Sequence, residues 1–406
     1  MKIFNFFLTR IFFKRPLLVF SMIALLFLAN YFSFTAARSI VSTSQGYNEI
    51  NEINKKGYFI ANLNPDSKSD FNSIEKRDTQ KIYEYLNHNY KYAFQSNGFV
   101  TSLNNKNDME ITLSYINKEA YQIRRFNLFE GHELDFKDEL NIEALPVLIG
   151  YGLAKTYPIG STIKIDDSSL TKPITLKVRG ILEKDFYHSN FYAPNSKNYF
   201  NFSIFVPVNK KILQNSNIDL QVNGLMDLIL IDSTKKDALK LSKYIEKNTN
   251  LKFNFFSQRE NFNYFEDYYT NSLKIIGSIT LILLITVISI AIWNNLMSIR
   301  LMISDITINL LVGLSYSKLR GIFYSYFGLL FFLNILGLFI ITAFNRYSFW
   351  LTKDAIFATY GKFGLLDMDW LALFIVVLID MIISIVIVEI SLKKIKSIPI
   401  SLGVIQ

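Results

Sequence analysis

The chain has 406 residues, half of them hydrophobic, a formal net charge of +9 and no cysteine. Several apolar runs have the length of spanning helices and exclude a purely soluble protein, and the lack of cysteine excludes disulfides, thiolate metal sites and lipid attachment at a lipobox. The charge does not mark a nucleic-acid face: residues 37–271 carry 29 Lys and Arg against 28 Asp and Glu, leaving 14 against 6 beside the apolar runs.

The first fifteen residues, MKIFNFFLTRIFFKR, set Ile3, Phe4, Phe7, Leu8 and Ile11 at helical spacing opposite Asn5, Thr9 and Arg10. That is the pattern of a helix lying in the membrane interface, with a plain basic flank to a signal anchor as the alternative. Pro16 suits the first turn of a new helix. The apolar run Leu17 to Ala36 exceeds the roughly 7 to 15 residues of a cleaved signal and is read as the first span.

The following stretch, 37–271, is polar and mixed. Strand-like runs fall at 57–63, 109–116, 145–150, 161–165, 174–182, 202–208, 226–231 and 252–256, and helical runs at 73–90 and 235–248. Their irregular alternation predicts an α+β domain. Breaks near 104–107 and the Asn-rich stretch 190–201 predict two lobes, one inserted into the other.

Three further spans are Leu273 to Trp293, Gly321 to Phe344 and Trp370 to Ser391. Basic residues mark the N-terminus (Lys2, Arg10, Lys14, Arg15), the 299–320 connection (Arg300, Lys318, Arg320) and the tail (Lys393, Lys394, Lys396). The positive-inside rule puts these, with both termini, in the cytoplasm and residues 37–271 outside; Trp293, Trp350 and Trp370 fall at span ends as an aromatic belt would. The predicted fold class is therefore an α-helical membrane protein with four transmembrane helices plus a large α+β extracytoplasmic domain. Its divisions are 1–36 (interfacial helix and first span), 37–271 (extracytoplasmic domain) and 272–406 (the other three spans).

Candidate chemistry is sparse. GYGLAKTYPIG, 150–160, has a Lys-Thr pair after glycines, but Ala154 stands where a phosphate loop needs glycine before the lysine. With only three histidines, His88, His132 and His188, a His-based zinc site would need all of them to converge or carboxylates to help, and GHELD at 131–135 has Phe136 where a zinc motif needs its second His. Asp166-Asp167 reads as a solvated turn.

Two stretches carry a family resemblance. LPVLIGYGLAKTYPIGSTIKI followed by ITLKVRGILEKD, flanked by NLFEGHELDF and SIFVPVN, resembles the MacB-like periplasmic core domain; there GYGLAKT is a structural helix start with Leu153 packed inward. SIRLMISDITINLLVGLSYSKLRGIF resembles the FtsX-like permease signature, with Asp305 and Ile306 on its acidic-Ile pair and Gly313 and Ser315 on its Gly-x-Ser turn, while Thr307 and Leu310 depart from it. The resemblance implies a bacterial ABC-transporter permease subunit of the mechanotransmission type, in the cytoplasmic membrane. It would have no catalytic residue and no cofactor of its own: ATP would be hydrolysed by separate ATPase subunits, pushing on a short helix of about 299–311.

Arg300, Asp305, Ile306, Ile308, Leu311, Gly313 and Ser315 would form that coupling element, with Leu301, Ile308 and Leu311 as its apolar face, Gly313 its C-cap and Ser315 capping the next helix. A plain interfacial connector is the alternative. Expected partners are the ATPases, a second permease copy as homodimer, membrane lipids, and an adaptor, outer-membrane channel or exported small protein. The cargo would be amphipathic: a peptide, lipid-modified protein or hydrophobic compound. The alternative function is an ATPase-driven regulator of a cell-wall hydrolase or sensor kinase.

Within the membrane, Asn334 and Asp380 sit at similar depth by counting about 1.5 Å per residue. They are expected to hydrogen-bond with Asp380 protonated, as packing glue rather than as a proton relay. Glu389 is expected to snorkel or pair with Lys393 at i and i+4.

Overall fold

A computed structural model describes residues 2–397 apart from Arg15, 68–70, Ser102, 137–143, 167–169 and Tyr192. Arg15 of the basic flank and Asp167 of the paired acids thus lie outside the described residues. Two compact units divide the chain: a helical unit of 1–41, 271–345 and 365–406, and an α+β unit of 42–270 and 346–364.

Four helices among the described residues are long and apolar enough to cross a membrane. A short helix α1 (Lys2–Phe6) runs on as a π-helical turn, Phe7–Phe12, and α2 (Pro16–Ile53) follows from Pro16. The other three are α9 (Asn271–Leu311), α10 (Tyr316–Leu351) and α11 (Asp367–Lys396). Each outruns the apolar stretch that predicted it. In α2 hydropathy falls after Ala36 but helical periodicity persists, because Ala37, Ser42, Gly46, Ile50 and Ile53 keep one buried stripe at spacings of three to five.

In the α+β unit, chain order after α2 is β1 (Phe59–Leu63), α3 (Lys76–Asn89), β2 (Lys91–Ala93), β3 (Gln95–Thr101), β4 (Ile111–Ile116), α4 (Lys118–Ile123), β5 (Leu128–Gly131) and β6 (Leu145–Ile149). Then come β7 (Thr162–Ile165), β8 (Ile174–Leu182), β9 (Tyr187–Asn190), β10 (Ala193–Tyr199), β11 (Ser203–Pro207), α5 (Lys210–Asn215), α6 (Ile218–Met226), β12 (Ile229–Ile231), α7 (Lys235–Thr249), β13 (Phe253–Ser257) and α8 (Gln258–Tyr264). An antiparallel sheet β13-β1-β12-β2 carries α3 and α7, whose Tyr85 and Tyr244 rings stack at 4.1 Å. A larger mixed sheet runs β3-β4-β11-β6-β8-β5 with β7 beside β8, and its central strands β4 and β11 are buried along their whole length.

The larger sheet's strands all fall between β2 and β12, so one lobe is inserted into the other. The junctions differ from the expected ones. Residues 104–107 form a tight turn built on the Asn105 side chain, which accepts from Asn107 N and Met109 N, both at 3.1 Å. Much of the Asn-rich stretch is strand, in the β9-β10 hairpin.

That hairpin holds the far end of α2. Ser42 Oγ donates to Asn195 O at 2.9 Å, Glu49 Oε2 accepts from Ser189 N at 2.8 Å, and Lys197 bonds Gln45. Gly46 faces the Pro194 carbonyl so closely that a Cβ would lie 1.9 Å from its oxygen.

The glycines of GYGLAKT have the same packing role. Gly150 N donates to Ser203 O at 2.8 Å, a Cβ on it would meet Phe200 O at 1.9 Å, and the 3-10 turn Tyr151–Leu153 buries Leu153. This arrangement closes strand against strand and leaves no cradle for a phosphate.

The connection 346–364 belongs to this unit rather than forming a free loop. Ala355 and Ala358 are buried in its core, Tyr199 N donates to Ile356 O at 3.0 Å, and Tyr360 N donates to Asp185 Oδ1 at 2.7 Å. Trp350 donates to Thr359 O at 3.0 Å and meets Phe202 edge-on at 5.6 Å. Its indole is therefore a packing group of the α+β core.

Candidate functional site

The sequence expected a separate short helix at 299–311. Instead these residues are the last turns of α9, continuous with the span. Apolar residues at 299, 302, 303 and 306 keep the helix packed inside the bundle, so nothing breaks it at the expected boundary. It stops at Gly313, with φ +102°, where Leu314 N donates to Asn309 O at 3.0 Å and Gly313 N to Leu310 O at 3.1 Å. These are the two bonds of a Schellman C-cap. Ser315 Oγ then accepts from Lys318 N at 3.3 Å and starts α10.

The expected coupling residues divide by face. Arg300, Leu301, Ile308, Leu311, Gly313 and Ser315 are exposed, and Val312, which the sequence reading passed over, is 83% exposed. Ile306 is a correction: it is 1% exposed and sits in the bundle core, because it lies on the helix face of Met302 and Ile303. Asp305 is half-buried and pairs with Lys14 at 3.3 Å.

The same end of the helical unit gathers the N-terminal helix. Phe7, Ile11 and Phe12 are buried in one cluster with Ile303, Phe323 and Ile395, and Phe12 stacks on Tyr326 at 4.1 Å. These three side chains of the first segment are thus spent on protein contacts, while Ile3, Phe6 and Phe13 stay exposed. Arg320 pairs with Glu389 at 3.1 Å and Tyr324 OH donates to the same carboxylate at 3.3 Å, replacing the expected Glu389–Lys393 pair. Arg320 and Tyr324, one turn apart on α10, meet the carboxylate together.

Mid-span, the expected Asn334–Asp380 bond is also corrected. Asp380 Oδ2 accepts from Asn30 Nδ2 of α2 at 2.9 Å, and among the described residues Asn334 Nδ2 has no partner. Depth along an axis fixes level; helical phase decides which neighbour is faced. The level itself is shared: Leu26, Phe331 and Ile383 lie in the core cluster on one side of these residues, and Phe34, Leu338 and Val376 in the cluster on the other. Further polar ties cross the bundle at Asn295–Ser391 (2.5 Å) and Asn294–Ser21 (3.0 Å).

The α+β unit holds a second charged cluster that the sequence did not single out. Arg124 lies over the Phe191 ring at 4.5 Å, near Glu49 and Asp227. Burial raises the carboxyls of Glu49 and Asp227, each partly offset by Arg124, and the same burial lowers Arg124. His188 is buried among Phe126, Phe186 and Phe200 at 5.0 to 5.3 Å. Burial, then the charge of Arg124, hold it well below 6.5, so the ring is neutral. Among the described residues there is no group of three His, Cys, Asp or Glu able to hold a metal ion.

Apolar spans and an inserted-lobe α+β unit define a membrane protein with a large folded domain between its first two spans. The family model of the MacB-like periplasmic core domain matches residues 18–239, more than half of the chain. The chain belongs to that family, whose members are permease components of ABC transporters.

Three solved structures show distant similarity. The extracellular domain of the noncanonic ABC-type transporter YknZ from Gram-positive bacteria is 12% identical, covering 49% of this chain and 100% of that one with a TM-score of 0.31. The periplasmic region of MacB from Actinobacillus actinomycetemcomitans is 12% identical, with coverage of 53% and 94% and a TM-score of 0.32. A domain of a putative permease protein from Porphyromonas gingivalis is 8% identical, with coverage of 50% and 90% and a TM-score of 0.28. A search of curated proteins found no match.

Proposed function

We propose that this chain is the permease subunit of a mechanotransmission-type bacterial ABC transporter. In this reading a dimer of the chain, bound to separate ATPases in the cytoplasm, converts their closure into movement of the α+β units outside. The work is export or extraction of an amphipathic compound such as a peptide, lipid-modified protein or hydrophobic molecule.

The observation that carries this reading is the exposed apolar stripe Leu301, Ile308, Leu311 and Val312 at the end of a helix continuous with a span. Exposed residues of this kind at a fixed helix end fit a protein partner better than water. A push there would be delivered to a rod without a hinge, since Gly313 lies beyond the stripe.

The orientation is supported by packing. Lys14, Arg320 and Lys396 come from three distant parts of the sequence, yet each lies beside the core cluster that holds Ile303, Phe323 and Ile395. Residues collected at one end of the bundle would share one side of the membrane, and their positive charge supports the cytoplasmic side.

The test is co-purification from detergent. Leu301→Asp with Ile308→Asp should abolish recovery of a P-loop ATPase while leaving the thermal midpoint within a degree or two, because both side chains are about half exposed. Full recovery of the ATPase with this double variant would refute the contact. Thiol labelling of single cysteines at 301 and 247 from opposite sides checks the sidedness.

A further inference from the structure

Two short stretches repeat one pattern, Ile116-Asn117-Lys118 and Val208-Asn209-Lys210. β4 and β11 are parallel neighbours, in register from Ser203↔Thr112 to Pro207↔Ile116, so the two copies leave the sheet side by side. Each Asn caps the helix after it: Asn117 Oδ1 accepts from Ala120 N and Asn209 Oδ1 from Ile212 N, both at 2.9 Å. Each Lys is consequently placed as a first helical residue, and both are exposed.

Lys118 and Lys210 line one cleft of about 340 Å³ together with Lys91. This volume lies in the range of small-ligand sites, about 300 to 1,000 Å³. Among its described lining residues Glu119 is the single acid, giving three positive charges against one in a domain that is otherwise nearly balanced. Tyr90 and Phe136, both partly exposed, supply an apolar wall.

The frame is fixed in advance of any ligand. Asn117 also accepts from Phe94 N at 2.9 Å and donates to Tyr92 O at 2.8 Å, tying β2 to the start of α4. The capping oxygens already satisfy helix N–H groups, so the attraction for an anion comes from the lysines. Crevices outside the carboxyl ends of parallel strands are where open α/β sheets hold ligands.

We propose that this cleft binds an anion carried on an apolar or aromatic body. The acid group lies between Lys118 and Lys210 and the body rests on Tyr90 and Phe136. Lysine is a rotatable point charge without the fixed fork of arginine, so a carboxylate and a phosphate are both accepted. The binding is a property of this chain and needs neither the ATPase nor transport.

The probe is phenyl phosphate, compared with benzoate, inorganic phosphate and neutral benzyl alcohol, on the full chain in zwitterionic nanodiscs. Phenyl phosphate and benzoate should slow acetylation of Lys118 and Lys210, read by mass spectrometry, without slowing that of Lys247, which does not line the cleft. K118Q/K210Q should weaken phenyl phosphate binding in calorimetry about tenfold or more, with an unchanged thermal midpoint because both side chains are exposed. Equal protection by benzyl alcohol, protection by none of the probes, or unchanged affinity in the double variant would each overturn the site. Inorganic phosphate protecting as well as phenyl phosphate would overturn the amphipathic assignment.

Discussion

The interiors of the two units are built on opposite terms. In the α+β unit the centre is apolar, with Leu113, Tyr115, Phe202, Ile204 and Phe205 essentially inaccessible. In the helical unit the side chains at mid-span include Asn30, Asn334 and Asp380, while large apolar residues such as Ile282, Phe332 and Phe374 point outward. Water drives the first kind of core together by hydrophobic burial. Lipid offers no such drive, so a bundle relies on close packing and hydrogen bonds between helices. Substitutions of similar size should therefore cost very different amounts in the two places.

The largest effect is expected at the centre of the α+β unit. Phe205→Ala removes a ring packed against Phe126 and Phe200 at 5.1 and 4.9 Å and should lower stability by about 3–5 kcal/mol, measured by thermal unfolding in nanodiscs. A loss below about 1 kcal/mol would mean that this centre is not the dry, close-packed core described.

Next comes Gly46→Ala. Alanine gains about 1 kcal/mol in helix propensity, but its Cβ would be driven into a backbone carbonyl, which cannot swing away as a side chain could. The net expectation is destabilisation by about 1–3 kcal/mol, with loss of the Ser42 and Glu49 contacts visible as faster hydrogen exchange at Ser189. A more stable variant would show that α2 and the hairpin are not pressed together.

His188 gives a pH signature. Its folded pKa is depressed below the ordinary value, so as pH falls through about 6.5 the unfolded chain takes up a proton that the folded chain refuses. The contribution is present above that pH and is lost below it. His188→Phe should flatten this part of the stability profile between pH 7 and 5, and an unchanged slope would place the titration elsewhere.

Asn30→Leu should be milder, about 1 kcal/mol or less in the bundle. Asp380→Asn, which can keep a hydrogen bond to Asn30, should cost less still. A loss of several kcal/mol in either variant would bring the two interiors closer together than their composition implies.

How much was legible in the sequence follows the same division. Short apolar or alternating runs rich in β-branched and aromatic residues located β1, β4, β6, β7, β8, β11, β12 and β13, because such patterning is a local property. β2, β3, β5, β9 and β10 escaped notice: they are short or rich in polar residues, and their strand character comes from pairing, β2 with β12, β3 with β4, β5 with β8 and β9 with β10. The end of α9 and the start of α10 were legible at Gly313 and Ser315, whose capping roles are written in residue type. Ile306 was misplaced because a motif match gives position along the helix but not the direction faced. Asn30 was missed for a related reason: it sits in the first span, some 300 residues from Asn334 in sequence, and only the folded bundle brings it to Asp380. Lys14 against Asp305 is a second long-range contact of this kind.

The membership of residues 346–364 in the α+β unit has a practical corollary for dissecting the molecule. The polypeptide changes units after residues 41, 270, 345 and 364, so no single stretch of sequence encodes the α+β unit entire. A fragment of 42–270 would lack the strip bearing Ala355, Ala358 and Trp350, leaving Phe202 and the Asn201 amide without their covering. A fragment meant to hold that half of the molecule by itself must carry 346–364 as well as 42–270.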